Sequence, residues 1–286
     1  MELTFELEEL RKKSKEQSWF VDYKELEISK KPFASGTTSD IFDCNWRGLK
    51  IVIKRLKIKD NFTLKGFLNE IKIWHTIRHP NIVQFLGISI FAEEIYILLQ
   101  KINGSNLKKY LINNRITKSV KKTFVKQLVS IFNFLHNCKP QIIYRDLKAE
   151  NILVEDDKIY LTDFGISRFY PESSNFKMTG KAGTWRYMAP EVFHKQIYNL
   201  KADIYSLGMI LYFIYKNELP FSGFNKKRLI EYFDNDNDFY VDVKNENIKK
   251  IIMNCTTKNI EKRYNIQQLA EDVKYIKVSK YFCGVC

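Results

Sequence analysis

The chain has few of the residues that punctuate loops, with 11 glycines and 6 prolines among 286 residues. It also has no internal repeat and no low-complexity linker, so neither a repeat array nor a tether has to be accounted for. Cysteine is sparse: Cys44, Cys138, Cys255, Cys283 and Cys286 are an odd number at irregular spacing. The opening residues Met1-Glu2-Leu3-Thr4-Phe5-Glu6 are acidic and lack the basic-then-apolar pattern of a secretion signal. Together these features exclude a disulfide framework and predict reduced thiols. The longest apolar run, Leu207 to Tyr215, is far shorter than the roughly 20 residues needed to span a bilayer, and reads as a buried helix. The expectation is an intracellular, cytoplasmic protein with no membrane span.

What is present is a globular composition, 45% hydrophobic and 28% charged, in a chain long enough for one large domain or two lobes. The net charge of +14 raises the question of nucleic acid, and Lys101 to Lys126 carries eight basic residues and no acidic one. No interleaved aromatic motif accompanies that stretch, so it reads as a solvated basic face and nucleic acid is not an expected partner.

Periodicity divides the chain into a strand-rich part and a helix-rich part. Residues 1–25 form an extension with a Glu/Leu/Lys-rich helical stretch. Ile28 to Lys54 is strand-like, with the turn residues Ser35-Gly36-Thr37-Thr38 inside it. Leu64, Phe67, Ile71 and Trp74 recur at helical spacing and predict a helix over 63–78, ended by His79-Pro80-Asn81. Strands follow at Ile82–Ile90 and Ile95–Leu99. After Gly104 the period changes: Val120, Phe124, Leu128, Ile131 and Leu135 predict one long helix, and Asp203 to Lys216 a helix apolar on every side. The expected class is α+β, a small β-rich lobe with one helix at 26–101 and a larger, mostly α-helical lobe at 102–277, with a tail at 278–286.

Five motifs stand in a fixed order along this pattern. They are Ile51-Val52-Ile53-Lys54, Glu70 sixteen residues on, Tyr144-Arg145-Asp146-Leu147-Lys148-Ala149-Glu150-Asn151, Asp163-Phe164-Gly165, and Ala189-Pro190-Glu191. The series resembles the protein kinase family over residues 26 to 277, with tyrosine at 144 where histidine is commoner. Lys148 and the segment Gly183-Thr184-Trp185-Arg186-Tyr187-Met188-Ala189-Pro190-Glu191 are similar to serine/threonine kinases. That segment, with the Asp22-to-Ile28 lead-in after Trp19, is closest in pattern to the tyrosine-kinase-like group.

The resemblance implies a bilobal fold, ATP and Mg²⁺ as cofactors, and a protein substrate phosphorylated on serine or threonine. Lys54, oriented by Glu70, would hold the α- and β-phosphates. Asp163 and Asn151 supply the hard oxygen ligands that suit Mg²⁺. Asp146 would take the hydroxyl proton as base, Lys148 would steady the transferred phosphate, and Thr184 would contact both. Ala34, Gly36, Ile41, Val52 and Leu153 would surround the nucleotide, with Leu99 at the gatekeeper position and Gln100 to Ile102 as hinge. Trp74, Phe85, Tyr144 and Phe164 fall where the family stacks a regulatory spine. Asp203 would brace the catalytic loop, and Glu191 would pair with Arg263.

The glycine-rich loop departs from the pattern. Its slots fall on Ala34-Ser35-Gly36-Thr37-Thr38-Ser39-Asp40-Ile41, and only Gly36 keeps its glycine. Ala34 and Ser39 are expected to stiffen or lift the loop, Asp40 to bring negative charge near the phosphates, and Val52 to narrow the adenine slot. These departures define the alternative, a weakly active chain or a pseudokinase that serves as a signalling scaffold. For regulation, Arg145 beside Asp146 implies a phosphorylation switch by an upstream kinase or by autophosphorylation. Thr179 is the expected site, ahead of Ser173 and Ser174. The tail Cys283-Gly284-Val285-Cys286 reads as a frayed terminus.

Overall fold

Leu7, Leu10 and Ser14 lie on one stripe of the first helix, α1 (Glu2–Glu16), and all three are buried. The computed structural model describes residues 2–36, 39–57, 61–170, 184–235 and 237–276, with the backbone alone at 2–6, 61–66, 69 and 184. Beyond α1, the segment from Trp19 to Val21 runs beside the sheet. Val21 N–H donates to the Ile88 carbonyl at 2.8 Å, and Ile88 N–H donates to that of Trp19 at 2.9 Å. Gly87 makes this approach possible, because a Cβ there would lie 2.6 Å from the Trp19 oxygen. The Trp19 ring packs on His75 at 5.1 Å and Phe85 at 5.8 Å, a partly buried aromatic cluster.

The strands that follow are β1 (Leu26–Ile28), β2 (Ala34–Ser35), β3 (Ser39–Trp46) and β4 (Leu49–Leu56). After helix α2 (Asn61–Thr76) come β5 (Phe85–Phe91) and β6 (Glu94–Gln100). They pair antiparallel in the order β1-β3-β4-β6-β5, with β2 added on β3. One face of this sheet packs Phe42, Cys44, Ile51, Ile53 and Leu98 against Val21 and Leu26. Burial pushes the Cys44 thiol up to about 11, so it is an inert core group.

Helix α2 starts two residues before the predicted 63 and ends at Thr76 rather than 78. The early stop has a visible cause. The Arg78 guanidinium folds back and donates to the carbonyls of His75 (3.0 Å) and Ile77 (2.8 Å), satisfying acceptors that a continued helix would have used.

The chain forms two compact units, residues 1–103 with 162–168, and residues 104–161 with 169–286. The second is helical. It contains β7 (Ser105–Asn106), α3 (Leu107–Asn113), α4 (Lys118–Asn137), β8 (Gln141–Ile143), β9 (Ile152–Glu155) and β10 (Lys158–Leu161). There follow α5 (Pro190–Phe193), α6 (Lys201–Lys216), α7 (Lys226–Asp234), α8 (Glu246–Thr256) and α9 (Ile266–Lys274). Asparagines serve here as N-caps: Asn106, Asn225, Asn245 and Asn265 each accept from the backbone N–H three residues on. Helix α4 buries Phe124, Leu128, Ile131 and Leu135 at the predicted spacing. Helix α6 is buried from Ala202 to Ile214, and Gly208 brings α8 close, since a Cβ there would meet the Cys255 Cβ at 2.7 Å. Among the described residues no helix is long and apolar enough to cross a membrane.

Candidate active site

Strand register decides what the first unit presents. Residues directly opposite on antiparallel strands share a face, and so do residues two apart on one strand. Ala34 lies opposite Ile41, Ile41 opposite Lys54, and Val52 opposite Leu99. Five positions expected around the nucleotide, Ala34, Ile41, Val52, Lys54 and Leu99, therefore share one face of the sheet. Gly36 follows β2, and its N–H donates to the Ser39 carbonyl at 2.8 Å. Gln100 ends β6 with its N–H on the Gln84 carbonyl at 2.9 Å, and Ile102 is half-buried just beyond.

On that face Lys54 is buried, and its ammonium donates to Glu70 on α2 and, at 3.2 Å, to Asp163 Oδ1. Glu70 is fully buried, and the Trp74 ring lies 5.8 Å from the ammonium. Burial alone would push the Lys54 pKa down. Asp163 and Glu70 outweigh that effect and hold it above the ordinary lysine value, so the group stays charged. Asp163 has φ +63°, a left-handed conformation tolerated by aspartate, and Gly165 N–H donates to its Oδ1 at 3.4 Å. Phe164 between them is buried against Trp74 at 5.4 Å. Of the other expected spine residues, Phe85 packs on Trp19 and His75, and Tyr144 packs edge-on against Phe132 at 6.0 Å.

The second unit holds the loop from Tyr144 to Asn151. Its backbone is anchored by Asp203, only 1% exposed, which accepts from Tyr144 N–H and Arg145 N–H at 2.8 Å each and contacts His136 Nε2 at 3.0 Å. The bond to Arg145 holds a non-glycine residue at φ +75°, a backbone state that needs outside support. Beyond it Lys148 Nζ donates to Asp146 Oδ2 at 2.5 Å. Asn151 Nδ2 donates to the Asp146 carbonyl at 3.0 Å and to its Oδ2 at 3.1 Å. Asp146, Lys148 and Asn151 are thus one hydrogen-bonded group. Leu153 lies on β9, half-buried opposite Tyr160. Thr184 opens a 3₁₀ turn over Thr184–Tyr187. Its side chain lies outside the described residues, as do Ser173, Ser174, Thr179 and the tail cysteines.

One expectation about the loop needs correcting. Asp40 does not bring its charge to the phosphate side. It is opposite Arg55, on the face of Phe42 and Ile53, where it is 5% exposed and paired with Arg55 (3.1 Å) and Lys57 (2.6 Å). Ala34 and Ser39 both sit in regular strand, and neither they nor Gly36 has positive φ. Sequence reasoning missed Arg55 and Lys57 as partners of Asp40. The signal was a carboxylate and a guanidinium standing where the period-2 alternation of β3 and β4 calls for apolar side chains. It also missed Lys108, which pairs with Glu150 at 2.9 Å and compensates that carboxylate locally.

Residues 29–275 match the family described as the protein kinase domain. The chain belongs to that family. Its α+β, bilobal fold accords with a strand-rich unit carrying α2 and a helical unit carrying the 144–151 loop. The domain is similar to the serine/threonine-protein kinase VIK of Arabidopsis thaliana, 32% identical over 220 residues, 73% of this chain and 50% of that protein. It is 33% identical over 210 residues to the probable serine/threonine-protein kinase drkB of Dictyostelium discoideum, 71% of this chain and 30% of that protein. The Arabidopsis serine/threonine-protein kinase STY17 is 30% identical over 210 residues, 71% of this chain and 36% of that protein. The chain thus spans half or less of the length of these curated relatives.

Proposed function

We propose that this kinase domain transfers the γ-phosphoryl group of ATP to serine or threonine hydroxyls of protein substrates. The observation that carries the reading is the buried Lys54–Glu70 pair with the half-exposed Asp163 carboxylate beside it. Taking the Lys54 and Glu70 charges out of water is costly, and charged groups held in this way cluster at functional sites. An ammonium kept charged there is suited to hold phosphate oxygens, with Glu70 fixing its direction.

Asp146 is the proposed base. Its carboxylate accepts from Lys148 and Asn151, which fix its direction for a substrate hydroxyl. Lys148 would then neutralise charge on the phosphoryl group in transit. Each unit has a donor that suits Mg²⁺: in the second, Asn151 uses its amide nitrogen on Asp146, which leaves the amide oxygen as a ligand atom, and in the first Asp163 offers a half-exposed carboxylate. An ion held by such donors would neutralise phosphate charge. The scaffold alternative rests on the missing glycines, and their loss leaves β2 and β3 regular.

The test is incubation with ATP and Mg²⁺, followed by phosphosite mapping, of wild type beside Asp146→Asn. Wild type is expected to label serine or threonine, and the variant to lose about 10²-fold or more. Full activity in Asp146→Asn, or phosphate on tyrosine alone, refutes the proposal.

A further inference from the structure

The turn that carries Gly36 is held by side chains on the far side of the sheet. Ser35 on β2 lies opposite Asp40 on β3, and Asp40 opposite Arg55 on β4. Next along the same line, Arg55 lies opposite Tyr96 on β6. These four residues form one transverse row on the face opposite Lys54. Asp40 is its centre: Oδ1 accepts from Ser35 Oγ and from Lys57 Nζ at 2.6 Å, and Oδ2 accepts from Arg55 Nη2 at 3.1 Å. Lys57 also reaches the turn itself, donating to the Gly36 carbonyl at 3.1 Å. Arg55 is in turn 3.8 Å from Glu94, and its guanidinium lies 5.0 Å from the centre of the Phe42 ring.

This arrangement bears on the nucleotide face because a strand has only two sides. Ser35 follows Ala34, Asp40 precedes Ile41 and Arg55 follows Lys54, so each residue of the row is the immediate neighbour of one on the opposite face. Fixing the row fixes where Ala34, Gly36 and Ile41 stand relative to Lys54. In a loop short of glycine, few backbone N–H groups are free to adapt to a phosphate, so the approach must be set in advance.

We propose that Asp40 is a positioning residue for nucleotide binding, whose carboxylate ties β2 and the Gly36 turn to β4, the strand that carries Lys54. The proposal rests on the reading of the Lys54 face as the ATP site. Asp40 touches no reacting group and acts through the backbone it holds. The hydrogen bond from Lys57, then that from Ser35, keep its carboxyl down at about 2, so it is an anion at any working pH.

The experiment compares wild type with Asp40→Asn, Lys57→Gln and the double variant. It measures the KM for ATP, kcat, thermal midpoint and amide exchange at Phe33 and Gly36, whose N–H groups bond to Ile41 and Ser39. Asp40→Asn is expected to raise KM about fivefold or more, with a smaller change in kcat, and to speed exchange at both amides. Lys57→Gln acts in the same direction, and the double variant costs less than the sum of the two singles, because both lose the Asp40–Lys57 tie while Lys57 alone holds the Gly36 carbonyl. A KM within about twofold of wild type in a folded Asp40→Asn protein overturns the proposal. So does a lowered thermal midpoint with KM and kcat unmoved, the mark of a purely structural pair. If wild type neither binds nor turns over ATP, the function reading fails by itself. Amide exchange then still decides whether Asp40 holds the turn, and unchanged exchange refutes it.

Discussion

Replacing Arg263 by methionine is expected to destabilise the helical unit severely. Arg263 is 1% exposed, and its five N–H donors are all engaged. Two donate to Glu191, Nη1 to Oε1 at 2.6 Å and Nη2 to Oε2 at 3.0 Å. The others reach the carbonyls of Thr257 (3.0 Å), Lys201 (3.2 Å) and Lys258 (3.4 Å). The Tyr205 ring lies 5.0 Å from the guanidinium carbon. Removing the guanidinium leaves the Glu191 carboxylate, itself 4% exposed, in the core without its counter-charge. Breaking a buried pair in this way costs about 3–5 kcal/mol, a large share of the roughly 5–15 kcal/mol that holds a domain folded. With a urea dependence of about 2 kcal/mol/M, the unfolding midpoint should fall by about 1.5–2.5 M. Arg263→Lys recovers little, because an ammonium is a point charge that cannot form the fork. Glu191→Leu combined with Arg263→Met should cost clearly less than the sum of the two single changes, since no charge is then stranded. Equilibrium urea denaturation of the four variants decides the matter. A loss below about 1 kcal/mol in Arg263→Met, or additive costs in the double variant, refutes the reasoning.

Asp203→Ala removes the acceptor of the buried Tyr144 N–H and the part-buried Arg145 N–H and should cost about 2–4 kcal/mol. Asp203→Asn, which keeps one oxygen, should cost about half as much, and thermal unfolding that ranks the two the other way counts against the bracing role. Acid stability carries a signature of Asp40. Its folded-state carboxyl lies at about 2 and its unfolded one near 3.9. Its contribution is therefore complete above about pH 4 and fades as pH falls toward 2, because the unfolded chain takes up the proton first. Urea midpoints of Asp40→Asn should fall less steeply than those of wild type between about pH 4 and pH 2.5, and parallel curves contradict the ion pairing.

Much of the fold was legible because each segment keeps one period. The stripe Phe124, Leu128, Ile131 and Leu135 announced α4, and the all-round apolar run from Asp203 announced α6. Helix α2 was found but its end was misplaced, because a side chain outside it, Arg78, caps its last turn. The phosphate loop was misread in a more instructive way. Counted along the chain, Asp40 lies among residues expected to meet phosphate, and a list of residues does not say to which side of the sheet each one points. Glu150 illustrates the same gap, as Lys108 lies 42 positions away and nothing local signals that the two meet.

By itself, then, the sequence determined residue types and local periods: a lysine ending an apolar strand, a glutamate at the proper turn of a helix, and aspartates in turn-forming tripeptides. These depend on the backbone within a few residues and on the chemistry each side chain can perform. Tertiary structure decided which charges find partners. It turned Asp40 away from the Lys54 face, gave it Arg55 and Lys57, and set Arg263 against Glu191 across 72 positions. The reason is physical: charges are tolerated in a core only where counter-charges and hydrogen bonds converge on them, and that convergence depends on strand register and helix packing, which exist only once the chain has folded.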